Sequence, residues 1–360
     1  MKKVAIITFH NAVNYGAILQ CYALQSFIEQ HCTCSVDVLD YQPIYFRKVF
    51  FDPMKPWTAI GFKNKGKALA KCVLLNREMR SLSRKHRELL RYMRQKLHLE
   101  PVKQEEDRYY DCYITGSDQV WNLEMMENDT TYLLDFVKKG KKISYAASFK
   151  VSDVDEFAQK AYQKHLPTFD SISVRESNLQ AYLQNEYGLK TDCVLDPTLL
   201  IGREFWKSEV NDIPTVSGKY LLLYYVNMPQ HLVDRAFAFA KERDLRVVSL
   251  NKLRGRADYL DYSGASIEEF LNLVANAETV FTTSFHGMAF SILFEREFYY
   301  EIPEKSYNNN ARLEDLAGKL DLQAQNLENT AYEEISWADV QARLAEHRRD
   351  SVEFLMHALS

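Results

Sequence analysis

Thr279-Val280-Phe281-Thr282-Thr283-Ser284-Phe285-His286-Gly287-Met288 is a short apolar run that passes through a polar loop into an apolar helical stretch, Met288 to Phe294. A run of this length, bounded by small polar residues, predicts a buried strand. A strand feeding a helix through a tight loop is the repeating unit of a parallel α/β sheet. The same unit recurs upstream: strand Tyr220 to Val226, helix Gln230 to Arg243, strand Arg246 to Leu250 and helix Ile267 to Ala277, whose start carries Ser266 and Glu269 at capping-box spacing.

An earlier series begins with Val4 to Thr8, a helix from Ala17 to Gln30 and a strand from Ser35 to Leu39. It continues with the short apolar runs Tyr113 to Thr115, Ile143 to Ser148, Ile172 to Val174 and Cys193 to Leu195. Two series of strands predict two sheets, in keeping with 360 residues, more than one core usually organises. The expected division is a first Rossmann-like domain over 1–200, with a basic helical insert at about 45–108, and a second over 201–335. The stretch from Asp196-Pro197 to Gly218 is the expected crossing. The pattern Val340, Leu344, Val352, Leu355 predicts a final helix over 336–360 that packs back on the first domain.

A formal charge of −4 argues against nucleic acid as a partner, and no apolar stretch approaches the length of a membrane span. The start, Met1-Lys2-Lys3 before Val4 to Ile7, is too short in its apolar part for a signal peptide, so the expected location is cytoplasmic. Cys21, Cys32, Cys34, Cys72, Cys112 and Cys193 form no Cys-x-x-Cys pair and read as small core residues, with neither a disulfide framework nor a metal site expected. Between Lys63 and Lys96, twelve lysines and arginines face only Glu78 and Glu88. Cys72, Leu75, Met79, Leu82, His86, Leu89, Met93 and Leu97 recur there at helical spacing, after the aromatics Tyr45, Phe46, Phe50, Phe51, Trp57 and Phe62. Two readings stand: a cationic helix packed on the first domain, or a peripheral contact with an anionic membrane at its inner face.

In such folds chemistry gathers at the carboxyl ends of strands, where free helix amides attract anions. Four loops fit. His10, Asn11, Asn14, Tyr15 and Gly16 follow the first strand; Gly116, Ser117, Asp118, Gln119 and Trp121 follow the strand at Tyr113, the last offering a stacking face. Arg175 puts a permanent cation at a third strand end. In the fourth, His286 can move a proton near neutral pH, Thr283 and Ser284 can hydrogen-bond an anion, and Gly287 permits close approach.

Asn14-Tyr15-Gly16-Ala17-Ile18-Leu19, Gly116-Ser117-Asp118-Gln119-Val120-Trp121-Asn122, Ser144-Tyr145-Ala146-Ala147-Ser148, Ser173-Val174-Arg175-Glu176, Leu195-Asp196-Pro197-Thr198 and Ser284-Phe285-His286-Gly287 together resemble the polysaccharide pyruvyl transferase family over about Lys3 to Leu316. The resemblance implies two Rossmann-like domains facing a cleft, similar to GT-B glycosyltransferases. It also implies transfer of pyruvate from phosphoenolpyruvate, as a ketal, to a sugar of a bacterial-type surface glycan or of its lipid-linked oligosaccharide precursor, with no cofactor and no metal. In that reaction His286 suits the general acid. Arg175, Arg312, Asn310, Thr283, Ser284 and Gly287 are the expected donor contacts, and the two loops at His10–Gly16 and Gly116–Trp121 the acceptor side, with His10 as a candidate base. Many members have arginine where this chain has Ser284, so the donor cation must come from elsewhere or the donor differs. A GT-B-like glycosyltransferase using a nucleotide sugar and a non-catalytic sugar-binding relative are the alternatives. For the former, Asp153-Val154-Asp155 is the superficial motif, and a helix start is its simpler reading.

Overall fold

The computed structural model describes residues 1–43, 65–102, 109–226, 229–302, 310–329 and 333–360, with side chains omitted over 65–80 and 310–311. The first half alternates β1 (Lys2–Ile7), α1 (Tyr15–His31), β2 (Cys34–Asp40), α2 (Lys65–Lys96), β3 (Leu99–Pro101), β4 (Cys112–Thr115), β5 (Lys141–Ala147), α3 (Glu156–His165), β6 (Ser171–Val174), α4 (Ser177–Tyr187) and β7 (Asp192–Cys193). Helices α5 (Pro197–Leu200) and α6 (Arg203–Ser208) lead to the second half. That half runs β8 (Tyr220–Tyr224), α7 (Gln230–Glu242), β9 (Arg246–Ser249), β10 (Leu260–Asp261), α8 (Ile267–Ala275), β11 (Thr279–Thr282), α9 (Phe285–Leu293), β12 (Glu297–Tyr300), α10 (Asn310–Leu320) and α11 (Trp337–Leu359).

The strands form two parallel sheets, in the order β3-β2-β1-β4-β5-β6-β7 and β10-β9-β8-β11-β12. Central strands are apolar throughout because helices cover both faces: Val4 to Ile7 and all of β8 are buried. In each sheet the strand order reverses once, between β1 and β4 and between β8 and β11. Loops that leave adjacent strands in opposite directions open a crevice at such a point, where ligands bind in open α/β sheets. The expected site loops, after β1, β4 and β11, therefore lie at the two reversals.

The crossing is packed, which the mixed polarity of its sequence did not suggest. Trp206 in α6 is fully buried, donates to the Thr198 carbonyl at 2.8 Å and meets Phe290 of α9 edge-on at 5.0 Å. One apolar core runs from Val4 and Leu24 through Leu199 and Trp206 to Phe270 and Phe290. The final helix α11 spans both halves. Gln341 donates to the Ile292 carbonyl at 3.1 Å, while the Ser351 hydroxyl accepts from the Leu195 amide at 2.9 Å.

The basic insert bridges the halves as well. Leu89, Tyr92, Met93 and Leu97 are buried, but Leu82, expected on the apolar face, is exposed. Arg84 binds Glu269 at 2.8 Å and Arg91 binds Glu268 at 2.7 Å, both carboxylates in the first turn of α8. Two cations of the insert are therefore spent on the second domain, and the helix is not packed on the first alone. The aromatics from Tyr45 to Phe62 lie outside the described residues.

Burial, more than these half-exposed ion pairs, holds the halves together. In urea unfolding, Leu355→Ala in α11 is expected to cost about 2–5 kcal/mol and Arg84→Ala under about 1 kcal/mol. The reverse ranking would make the insert, not the shared core, the interdomain tie.

Candidate active site

Helix α1 begins where β1 ends, with Asn14 as its cap: the Asn14 Oδ1 accepts from the Gly16 amide at 2.9 Å. Helix α9 begins where β11 ends, capped by Ser284, whose hydroxyl accepts from the Gly287 amide at 3.3 Å. That cap starts the helix at Phe285, earlier than the apolar run alone implies, and puts His286 in its first turn. The two helix starts meet. A Cβ added to Gly16 would stand 1.9 Å from Nδ1 of His286, so only glycine lets the imidazole lie on the α1 backbone. Gly287 is equally constrained, since its Cβ would fall 2.3 Å from the Thr282 hydroxyl.

Around the ring stand Asp196, Arg175, Arg312 and Asp118. Asp196, in the α5 cap position, is fully engaged: Oδ1 accepts from the Thr198 amide and hydroxyl at 3.0 and 2.7 Å. Its Oδ2 accepts from the Ser117 hydroxyl at 2.8 Å and from Arg175 Nη1 at 3.0 Å. His286 Nε2 lies 3.8 Å from Asp196 Oδ1, an ionic distance but not a hydrogen bond. Arg175 also donates from Nε to Glu176 at 3.1 Å and lies over the Phe285 ring at 4.6 Å. Asp118 Oδ1 accepts from the Gln119 amide at 3.0 Å and lies 3.9 Å from Arg175 and 3.5 Å from Arg312, long ionic contacts for a half-buried carboxylate. It sits on strained backbone, φ +81°, beside Ala146 at φ +54°, where β5 shifts register.

Among the described residues of this cluster, three buried side-chain nitrogens have no hydrogen-bond partner: Arg175 Nη2, Arg312 Nε and His286 Nε2. Arg175, Arg312, Asp196 and Phe285 line one cavity of about 10 Å³, room for one water molecule. Burial pushes the His286 imidazolium below its ordinary pKa of 6.5, opposed by Asp196 and Asp118 and reinforced by the two arginines. The free ring is therefore neutral at pH 7. Burial raises the carboxyl of Asp196, but it is lowered on balance: by His286 whenever that ring is charged, by the Arg175 guanidinium, and by the hydrogen bonds from Thr198. Burial and the nearby Arg175 both depress Arg312, which leaves its cation undercompensated. No group of three His, Cys, Asp or Glu side chains able to hold a metal occurs among the described residues.

Other expected site residues are placed differently. His10 is pinned at both nitrogens, to the Thr8 carbonyl and to Asp40 at 3.1 Å each, so it has no nitrogen for an acceptor hydroxyl; its hydrogen bond holds the Asp40 carboxyl down to about 2. Asn11 also binds Asp40, at 3.0 Å. Tyr15 is a domain bridge, donating to the Ala265 carbonyl at 2.8 Å and stacking on Phe270 at 4.6 Å. Trp121 offers no stacking face: it is fully buried and donates to the Tyr132 carbonyl at 3.0 Å. The hydroxyl of Thr283 is closed in a pair with the backbone of Val226, at 3.0 Å in each direction, so its proton is unavailable to an anion. Gly116 packs on Thr8, Ser117 serves Asp196, and Gln119 is partly exposed at the rim. The Asn310 side chain lies outside the described residues. Asp153 binds Asn122 at 3.2 Å and Asp155 caps α3, so that acidic pair is structural. Asp196 and Phe285 were missed as site residues; an Asp-Pro pair reads simply as a helix cap, and only the fold shows what its second oxygen faces.

The profile of the polysaccharide pyruvyl transferase family matches residues 14–300. None of the curated protein sequences compared with the chain matches it. Among solved structures, a UDP-N-acetylglucosamine 2-epimerase from Rickettsia bellii is similar over 99% of this chain and 96% of its own, at 11% identity and a TM-score of 0.52. A candidate UDP-N-acetylglucosamine 2-epimerase from Listeria monocytogenes is similar over 98% and 88%, at 10% identity and a TM-score of 0.54. At such identity the likeness concerns the fold alone: two Rossmann-like domains across a cleft, in the GT-B-like arrangement.

The contact at Gly16 gives a sharp contrast. Gly16→Ala is expected to destabilise by about 1–3 kcal/mol through overpacking, whereas Gly318→Ala, in α10 with no neighbour closer than 4.0 Å, should stabilise by up to about 1 kcal/mol. Urea unfolding of both variants checks this; a neutral Gly16→Ala would mean that the ring is not seated there.

Proposed function

Because this chain belongs to the polysaccharide pyruvyl transferase family, we propose that it moves pyruvate from phosphoenolpyruvate to a sugar hydroxyl pair, as a ketal, in the gap between its two sheets. The observation that carries the proposal is the set of three unpartnered buried nitrogens, two of guanidinium and one of imidazole, grouped about Asp196. Phosphoenolpyruvate presents a carboxylate and a phosphate, and charge-assisted bonds from fixed guanidinium forks suit both. Arg175 and Arg312 thus stand in for the arginine that Ser284 replaces.

The same charges time the proton. In the free enzyme burial and the two arginines keep His286 neutral. An anion bound to the arginines cancels their opposition, Asp196 then dominates, and the ring takes up a proton. One sugar hydroxyl adds to the central carbon as the methylene carbon takes that proton, and the second hydroxyl displaces phosphate. Of the two hydroxyl protons, one restores the imidazolium and one leaves with phosphate. Asp118, with long contacts to both arginines, occupies the position of a substrate carboxylate and yields it when the gap opens. A cavity of about 10 Å³ is too small for the donor, so the halves must part for entry.

The sugar acceptor belongs to a surface glycan or its lipid-linked precursor. Peripheral contact with anionic lipid would draw on Lys65, Lys67, Lys71, Arg77 and Arg80, since Arg84 and Arg91 are engaged with α8. Neutralising those five should abolish co-sedimentation with anionic vesicles; undiminished sedimentation would remove the membrane from the account.

His286→Gln should lower acceptor-dependent phosphate release from phosphoenolpyruvate by roughly a hundredfold or more, read by phosphorus NMR, with unfolding unchanged. Release within threefold of the parent would end the general-acid assignment.

A further inference from the structure

Helix α1 ends at His31, and the chain turns through Cys32-Thr33-Cys34 into β2. Cys32 closes the helix on extended backbone, its amide donating to the Ile28 carbonyl at 2.9 Å, and the Cys34 amide donates to the Cys32 carbonyl at 2.9 Å. This three-residue turn sets the two thiols side by side, and Cys34 donates its S–H to the Cys32 sulfur. Cys32 in turn donates to the Met356 thioether of α11, 3.8 Å away and 324 residues on. Two thiols and a thioether are thus linked, with Cys32 in the middle. Both cysteines are free and partly exposed, and Met356 is exposed, so the sequence reading of Cys32 and Cys34 as small core residues does not hold.

The neighbouring backbone fixes this cluster. Cys34 stands opposite Lys2 of β1, and the Lys2 ammonium donates to the Leu359 and Ser360 carbonyls at 2.9 and 2.8 Å, which holds the end of α11 against the sheet. Sulfur is a weak donor and a weak acceptor, so a partly exposed chain of such bonds does little for stability. As a ligand set it is strong. Thiolate and thioether sulfur together suit monovalent copper, whereas structural zinc asks for four ligands and magnesium or calcium for oxygen. No group of three His, Cys, Asp or Glu side chains that such ions would need occurs among the described residues. Two sulfurs bonded to one ion at about 2.3 Å each, at trigonal angles, stand about 4 Å apart, close to the spacing of Cys32 and Met356. Lys2 also acts on both thiols, and its charge offsets the single negative charge left on two thiolates around a monovalent ion.

We propose that Cys32, Cys34 and Met356 form a three-coordinate site for copper(I), which clasps the end of α11 to the first domain. On binding, the two thiols lose their protons to water. The site lies at the amino edge of the first sheet, where β1 and β2 begin, while His286 follows the carboxyl end of β11. It therefore stands apart from the pyruvyl reading and survives that reading's failure.

Reduced full-length protein, handled without oxygen, is titrated with copper(I) against a chromophoric copper(I) chelator. One equivalent should bind. Cys32→Ser and Cys34→Ser should each weaken it by about a hundredfold or more, at least the loss from removing a partner that only orients a ligand. Met356→Leu should weaken it by about tenfold, and Cys193→Ser, at a thiol outside the set, should match the parent. Copper X-ray absorption of the parent should show three sulfurs at about 2.3 Å, a result independent of how any variant folds. Failure to hold copper against the chelator, nitrogen or oxygen around the bound ion, or parental affinity in both serine variants overturns the proposal. Dependence on the cysteines with Met356→Leu unchanged also overturns the three-sulfur site, as does zinc held more tightly than copper.

Discussion

Two helices start at facing sheet reversals, where their positive ends meet, and a single glycine lets an imidazole lie between them. Parallel strands impose this. Every helix that follows a strand in such a sheet begins at the carboxyl edge, so two sheets set edge to edge concentrate positive helix ends at their boundary. The fold brings the positive helix ends together; Gly16 is what lets His286 lie between them.

The charges in the gap are set against one another rather than summed. Two guanidiniums meet the carboxylates of Asp118, Glu176 and Asp196, and the ring between them is kept neutral chiefly by burial. Asp196 is fixed by four short hydrogen bonds, while Asp118 makes only long contacts to the arginines. The elements that cross the gap, α2, α11 and the α5–α6 crossing, keep the two halves in register around this arrangement.

Much of this was legible in the chain. Continuous apolar runs such as Val4 to Ile7 and Tyr220 to Tyr224 announce central parallel strands because both of their faces are covered. The Ser266 and Glu269 capping box formed as spaced. The strands β3, β10 and β12 were not foreseen, since edge strands of two to four residues leave no run long enough to read. Aromatic residues near the loops misled for a physical reason: Tyr15 and Trp121 each carry more apolar area than polar function, and both went into packing. The insert's pairing with Glu268 and Glu269 joins residues some 180 apart in sequence, which no local pattern encodes.

The central claim is that an anion in this gap brings His286 its proton. Nitrogen-15 NMR of the imidazole, followed through a pH titration with and without phosphoenolpyruvate, measures it directly. The account predicts a neutral ring at pH 7 in the free protein, titrating below the ordinary 6.5, and a protonated ring at the same pH once the donor is bound. A ring that stays neutral in the complex, or is already charged without it, would contradict the account.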